Sequence, residues 1–299
     1  MNESGVDQIR LSIVIAAWNG DSLLRQCLES VENQTDRAGT EVVVVSNFPV
    51  SEIELSLPVK FILLDETATV PVLRQNGINA AQGEIVALAE DHCLFDAQWC
   101  REIKKAHESP YVAIGGSVEN NSVENALDWA VYFYDYGKYM PPNQNGPMLT
   151  LSGMNVSYKK IILQELAEFF EDGFFETNFN DELEKRGYQL MMESSAIIYH
   201  NKSYKFGRAI SHSFHLARAY AARRVGISDV FRRFYFIAGS VALPVILPTR
   251  IILVTLKKGR HISSLLRSLP YLVFLMFMWS FGEFCGYIIG EGDSTGEWR

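Results

Sequence analysis

Cysteine is scarce in this chain, and the four that occur are not placed for a zinc ribbon or a disulfide framework. Cys27, Cys93, Cys100 and Cys285 include no CxxC pair. We therefore expect reduced thiols and a cytosolic location. The first ten residues are polar, and the apolar run after them is too short for the core of a signal peptide, so no secretion signal is predicted.

Two phosphate-binding motifs are also missing. No GxGxxG follows the first apolar run, which argues against a dinucleotide fingerprint, and no GxxxxGKS/T occurs anywhere, which argues against a P-loop. The formal charge of −8 argues against a nucleic-acid partner. With 48% hydrophobic residues the chain can still bury the core of an ordinary globular protein.

What is present is an alternation of short apolar runs with helix-forming stretches. Runs at residues 11–17, 41–45, 59–64 and 85–89 have the composition of buried strands, and helical patterns separate the first two and the last two. Strands that alternate with helices form a parallel sheet through right-handed crossovers. The sequence therefore predicts an α/β fold over roughly the first ninety residues.

The fourth run ends abruptly in Glu90-Asp91-His92. Ligands of open α/β sheets lie at the carboxyl ends of the strands. Carboxylates and an imidazole at such a place can hold a divalent cation against a phosphate. A polar cap for the following helix explains the same residues equally well.

Four separated elements carry a resemblance to a known family. They are residues 12–19, residues 28–31 with Gln34, residues 74–77 with 81–84, and Glu90-Asp91-His92. In order and spacing they resemble the inverting family 2 glycosyltransferases of the GT-A fold, over roughly residues 10–225. The resemblance implies a mostly parallel central sheet flanked by helices, with a nucleotide-sugar donor bound at the strand tips.

The resemblance also implies a donor site and a metal. In that family the first strand-to-helix turn holds the nucleotide base, and the tip of the fourth strand is the metal-binding element. The implied metal ligands are Asp91, His92 and His200, with Asp91 first, and the cation is Mn²⁺ or Mg²⁺. The implied nucleotide-binding residues are Ala16, Ala17, Trp18, Asn19, Ser46, Asn47, Arg74, Asn76 and Glu90.

A second group of residues is implied to serve the sugar and the chemistry. Gly153 and Asn155 match a family element that lies under the donor sugar and the acceptor, and His92 is a candidate for the same role. The catalytic base is expected among the acids near residue 180, with Asp181 first, Glu182 next and Glu176 behind them. Asp181 and Glu182 are alternatively explained as acids that complement a helix dipole.

The carboxyl-terminal third has a different composition. Residues 202–233 hold eight Lys or Arg and one acid, and two apolar runs follow at 234–256 and 269–289. Each run has about the 20 residues that a bilayer-spanning helix needs. Prolines and Arg250 inside the first run favour a re-entrant or in-plane hairpin, although spanning helices and a soluble helical subdomain remain alternatives. Glu283 inside the second run indicates a helix–helix or oligomer contact.

Together these features predict three segments: a GT-A catalytic domain at 1–205, a basic amphipathic linker at 206–233 and a membrane-associated apolar helical hairpin at 234–299. The predicted function is metal-assisted, inverting transfer of a sugar from a nucleotide-sugar to a lipid-linked or cell-surface polysaccharide acceptor, on the cytoplasmic face of a membrane. The alternatives are an inactive membrane scaffold of the same fold and a nucleotidyl-type enzyme acting on nucleotide-sugars. Self-association through the carboxyl-terminal helices is also expected.

Overall fold

The computed structural model describes residues 9–51, 55–224 and 230–297. The polar start of the chain and residues 225–229 of the predicted basic linker lie outside the described residues. The chain divides into two compact units, the first made of Met1–Glu119 with Tyr139–Asn201 and the second of Asn120–Lys138 with Lys202–Arg299.

A nine-stranded sheet forms the first unit, in the order β3-β2-β1-β4-β8-β6-β9-β5, with β7 paired to β9. The first four strands run parallel, and β8 joins β4 in the antiparallel sense. The strands are β1 Leu11–Ala17, β2 Thr40–Ser46, β3 Val59–Leu63, β4 Ile85–Glu90, β5 Cys93–Phe95, β6 Ala113–Asn120, β7 Gly146–Met148, β8 Val156–Lys159 and β9 Leu190–His200. The predicted α/β sheet is therefore confirmed.

Helices cover this sheet. They are α1 Asp21–Glu32, α2 Val70–Ala80, α3 Trp99–Ala106, α5 Lys160–Glu165 and α6 Glu176–Lys185, with a 3-10 turn at Ala167–Phe170. Strands β1, β2 and β4 are buried at every position, as expected of central strands covered on both faces. Gly77 lets α2 lie directly on β1, because a Cβ there would be 2.2 Å from Val14 Cγ1.

The described part of the second unit is built of helices. It consists of α4 Ala126–Tyr136, α7 Phe206–Arg224, α8 Val230–Ser240, α9 Leu243–Lys258 and α10 Ile262–Ile289, with 3-10 turns at Gly137–Tyr139 and Gly292–Glu297. The apolar run predicted at 234–256 is broken at Val241 and Ala242, where the two helices meet at 70°. Pro244 at the start of α9 favours a new helix there, since proline suits the first helical turn.

One helix of the described residues, α10, is long and apolar enough to cross a bilayer by itself. The bent pair Arg233–Ser240 and Leu243–Lys258 counts as a second candidate only if the two helices are taken as one broken span. Core helices of soluble proteins can meet the same criterion of length and composition.

Candidate active site

The tip of β4 meets the turn between β1 and α1 through Asp91. Its carboxylate accepts hydrogen bonds from the backbone N–H groups of Trp18 (2.8 Å) and Asn19 (2.6 Å) and from Asn19 Nδ2 (2.6 Å). The side chain is fully buried. Bonds from several donors to one carboxylate are strong and directional, so Asp91 fixes the backbone of this turn against the strand tip.

Arg74 joins two acids from different elements. From α2, its Nη2 donates to Glu90 Oε1 at the end of β4 (2.7 Å), and its Nη1 donates to Glu176 Oε2 at the start of α6 (2.6 Å). Burial opposes the positive charge, but Glu176 and Glu90 outweigh that effect and raise the pKa of the Arg74 guanidinium. The Arg74 side chain therefore remains charged and links α2 to β4 and α6 through these two ion pairs.

His92 lies between these two arrangements. Its Nδ1 is 3.5 Å from Asp91 Oδ1, and its Nε2 is 3.4 Å from Glu90 Oε2. The ring is 2% exposed and packs edge-on against Trp18 and His200, with centroids 5.9 and 5.0 Å away. A continuous polar row results, and its members in order are Asn19, Asp91, His92, Glu90, Arg74 and Glu176.

The oxygen and nitrogen atoms of this polar row determine whether it can bind a divalent cation. Both Asp91 oxygens are used by the β1–α1 turn, and no group of three or more His, Cys, Asp or Glu placed to hold a metal occurs in the described part of the chain. His92 Nε2, however, is buried without a hydrogen-bond partner among the described residues, and Glu90 Oε2 lies 3.4 Å from it. One or two protein ligands suffice for a cation that completes its shell with substrate phosphates. The pair Glu90 and His92 fits such a shared cation.

The acids of α6 have distinct surroundings. Glu176, in the first turn, is the acid of this helix that reaches the polar row, and its side chain keeps 27% of its surface exposed. Asp181 is exposed, one and a half turns further along. Glu182 accepts a hydrogen bond from Arg186 (2.8 Å) and lies 3.6 Å from Lys185, and these neighbours lower its pKa, the Arg186 bond most.

Gly153 and Asn155 occupy the segment just before β8. The Gly153 carbonyl accepts a bond from Arg74 Nη2 (3.2 Å), and a Cβ at Gly153 would lie 2.6 Å from Glu176 Cδ. Glycine is thus required for the close approach of Arg74 and Glu176. The Asn155 amide is fully buried, donating to the carbonyls of Ser117 (2.8 Å) and Ala196 (2.9 Å) and accepting from Trp99 Nε1 (2.9 Å). Its contacts in this structure are therefore internal to the protein.

Other predicted donor residues lie at the same edge of the sheet. Ala16 and Ala17 end β1, and Ser46 ends the neighbouring β2. The side chain of Asn47 donates to the carbonyl of Ala68 (3.2 Å), and Asn76 donates to Val72 O within its own helix (2.9 Å). The parallel strands bring these positions to one edge, while the side-chain amides of Asn47 and Asn76 donate to protein carbonyls.

Two tyrosines near Glu176 were not anticipated from the sequence. Tyr158, on β8, donates its hydroxyl to Asn180 Oδ1 (2.9 Å), and its pKa is raised by burial and further by the charge of Glu176. Burial also raises the pKa of Tyr139, with Glu176 adding to the effect. No local pattern identifies Tyr158, because its contact with α6 depends on how β8 and α6 pack.

Comparison with known proteins agrees with this architecture. The family model described as "Glycosyl transferase family 2" matches residues 12–167, more than half of the chain. Among solved structures, one similar chain is the mannosyltransferase PcManGT from Pyrobaculum calidifontis in complex with GDP-Man and Mn²⁺. It shares 14% sequence identity with a TM-score of 0.56, over 93% of this chain and 86% of that one. A search of curated proteins finds no match. At this identity the structural likeness shows the fold, and the family match shows that the chain belongs to glycosyl transferase family 2.

Proposed function

We propose that this protein transfers a sugar from a nucleotide-sugar to a lipid-linked or polysaccharide hydroxyl with inversion at the anomeric carbon. The observation that carries the proposal is the bridge Glu176–Arg74–Glu90, because it brings a partly exposed carboxylate beside the strand tip where α/β proteins bind ligands. The GT-A mannosyltransferase with GDP-Man and Mn²⁺ supports a nucleotide-sugar donor.

The nucleotide is proposed to lie along the ends of β1, β2 and β4, with its diphosphate near Glu90 and His92. A divalent cation held by this pair, when bound, supplies positive charge to the leaving diphosphate. Asp91 fixes the β1–α1 turn by accepting hydrogen bonds from its backbone, and Arg74 orients Glu90 through their ion pair. We retain His200 and Asp91 from the sequence prediction as further candidates for the same cation.

Glu176 is the acid that we assign as general base. As the acceptor oxygen forms its bond to the anomeric carbon, the bond from that carbon to the diphosphate oxygen breaks, and the acceptor proton passes to the carboxylate. Arg74 engages Oε2 of Glu176, which leaves Oε1 to accept the proton. Asp181 and Glu182, the first choices from the sequence, remain testable alternatives.

Three matched variants on α6 decide between these acids. We expect Glu176→Gln to lower the rate of transfer by about 10²- to 10⁴-fold, the range of general-base catalysis, while nucleotide affinity changes little. Asp181→Asn and Glu182→Gln, which remove the same charge from the same helix, are expected to retain activity. Loss of transfer in Asp181→Asn with full activity in Glu176→Gln would reassign the base.

The acceptor and the location follow from the second unit and from the cysteines. Exposed apolar helices of that unit favour an acceptor carried in a lipid phase. All four cysteines are free thiols, which fits the cytoplasmic face. Self-association through these helices stays a prediction, tested by sedimentation equilibrium in detergent.

A further inference from the structure

The longest helix of the second unit, α10, packs against the rest of the unit along one face, while its other face exposes large apolar side chains such as Phe277 and Phe281. Buried positions run from Leu265 to Tyr287, and α7 covers much of this face. A Cβ at Gly282 or Gly286 would lie 2.3 Å from a backbone oxygen of α7, that of Phe214 or Arg218 respectively. The two backbones are therefore in direct contact, and α10 cannot leave α7 without opening the unit.

Helix α7 carries too many polar and charged groups to accompany α10 across a bilayer. Arg218 donates to the carbonyl of Gly290 (2.8 Å), and Arg223 pairs with Glu291 (3.0 Å). Ionisable groups in the hydrocarbon core are costly, and exposed Arg208 lies on the same helix. Because α7 and α10 form one packed pair, these charges argue against α10 as a membrane span.

The acid inside α10 agrees with a protein interior on this face. Glu283 is 6% exposed and accepts bonds from Trp279 Nε1 (2.7 Å) and the Tyr287 hydroxyl (2.9 Å). It is the only acid in the sequences of α8, α9 and α10. The charged side chains that these three helices leave accessible are thus basic, in a chain whose net charge is −8.

Helix α9 presents an apolar surface with basic residues set into it. A shallow, open surface is formed by Val245, Ile246, Thr249, Arg250, Leu253 and Val254. Val245 is 72% exposed and Leu253 is 61% exposed, which is unusual for large apolar side chains of a soluble surface. Ile246, Arg250, Leu253 and Lys257 follow the spacing of one helix face, so apolar and basic groups alternate along a single stripe.

The dimensions of these helices also fit a position along a membrane surface. The 16 residues of α9 extend about 24 Å, which is shorter than a bilayer core of about 30 Å. Helix α8 turns away at 70° and exposes Phe231 and Phe234. A short helix that exposes apolar side chains with long basic side chains beside them can lie along the interface, since the basic side chains reach the lipid phosphates while the apolar groups enter the acyl boundary.

We propose that α8 and α9 dock in the plane of an anionic bilayer and that α10, held against α7 along one face, does not cross the membrane. Aliphatic and aromatic side chains of α8 and α9 enter the acyl boundary, and Arg250 and Lys257 extend to lipid phosphates. A neutral protein partner would not explain why the accessible charges of these helices are basic. This proposal stands apart from the assignment of glycosyl transfer.

Vesicle flotation with the full chain tests the docking surface. Wild type is expected to float with vesicles of phosphatidylcholine and phosphatidylglycerol. Arg250→Gln/Lys257→Gln should partition about 30-fold less well to these vesicles, and Ile246→Glu/Leu253→Glu should stay in solution. Arg101→Gln/Lys105→Gln removes two cations from exposed positions on α3 and should float like wild type. The proposal is overturned if all four proteins float equally. It is also overturned if wild type does not float and sedimentation equilibrium shows a dimer.

Labelling in sealed inverted membrane vesicles tests the position of α10. In a Cys285→Ser background, the exposed ends of the helix are marked by Leu266→Cys and Ile289→Cys in separate proteins. Both are expected to react with an impermeant maleimide before the vesicles are permeabilised. Protection of one end until permeabilisation would show a spanning helix and refute the in-plane arrangement. Donor hydrolysis by the same preparations is scored separately, so the two proposals succeed or fail independently.

Discussion

Replacement of Arg74 by glutamine tests the arrangement of the candidate active site. The variant removes a buried cation from between Glu90 and Glu176, with which it forms bonds of 2.7 and 2.6 Å, and its own side chain is only 7% exposed. Breaking a buried ion pair costs about 3–5 kcal/mol because the remaining charge is uncompensated. We expect a loss of that size in the free energy of unfolding, together with a fall in kcat of about 10²-fold from the displaced Glu176.

The matched control is Arg37→Gln. Arg37 pairs with Glu32 at the same 2.6 Å, but the two side chains are 42% and 26% exposed, so the loss should stay below about 1 kcal/mol. Urea unfolding measures both variants. In the double variant Arg74→Gln/Glu90→Gln, part of the lost stability should return because an unpaired carboxylate is gone, while activity stays low. Equal losses for Arg74→Gln and Arg37→Gln would refute the reasoning.

Four further variants probe individual contacts. Burial lowers the pKa of His107 to about 3, so its neutral form stabilises the fold above pH ~6.5 and this contribution is lost as pH falls toward 3. The free energy of unfolding should drop by about 1.4 kcal/mol per pH unit in that range. In urea titrations, the free energy of unfolding of His107→Asn should fall less steeply with decreasing pH. Gly282→Ala should destabilise through its contact with α7, whereas Gly239→Ala on α8, with no atom within 4 Å of the new Cβ, should be neutral or stabilising in thermal melts. Asp91→Ala should abolish transfer and weaken nucleotide binding even in EDTA, because the turn loses its anchor; unchanged affinity without metal would contradict that role.

The sheet of the first unit could be predicted because its central strands are uninterrupted apolar runs. Each of β1, β2 and β4 is buried at every position, so the apolar pattern of the sequence and the burial in the structure agree. The short strands β5 and β7 have three residues each and carry no such signal. Their pairing with β9 depends on long-range packing that a local pattern does not contain.

The sequence indicates where a candidate site lies more than which contacts its side chains make. A polar group at the end of a buried strand predicts a ligand site. The sequence around Asp91 is the same, however, whether its carboxylate binds a cation or accepts hydrogen bonds from a turn. Its bonds to Trp18 and Asn19 join residues more than 70 positions apart. The contact of Arg74 with Glu176 spans 102 positions. Sequence spacing near residue 180 therefore does not reveal that Glu176 contacts Arg74.

For the helical unit, composition does not determine how the helices are arranged relative to a membrane. Two apolar runs predict membrane contact in several arrangements, and the packing of α10 on α7 is the observation from which we propose one of them. Gly282 and Gly286 lie four positions apart in the sequence, the spacing of closely packed helices in membranes as well as in soluble proteins. The polar character of α7, which covers that face, is what favours a protein interior.

Product analysis with a panel of nucleotide-sugars tests the central claim most directly. The purified protein is incubated with each donor, Mn²⁺ and membrane lipids, and the products are identified by mass spectrometry, with Glu176→Gln measured in parallel. We predict that one donor yields a nucleoside diphosphate and a glycosylated lipid whose anomeric configuration is inverted, and that Glu176→Gln loses this product. Release of pyrophosphate, or absence of turnover with every donor, would contradict the assignment of glycosyl transfer.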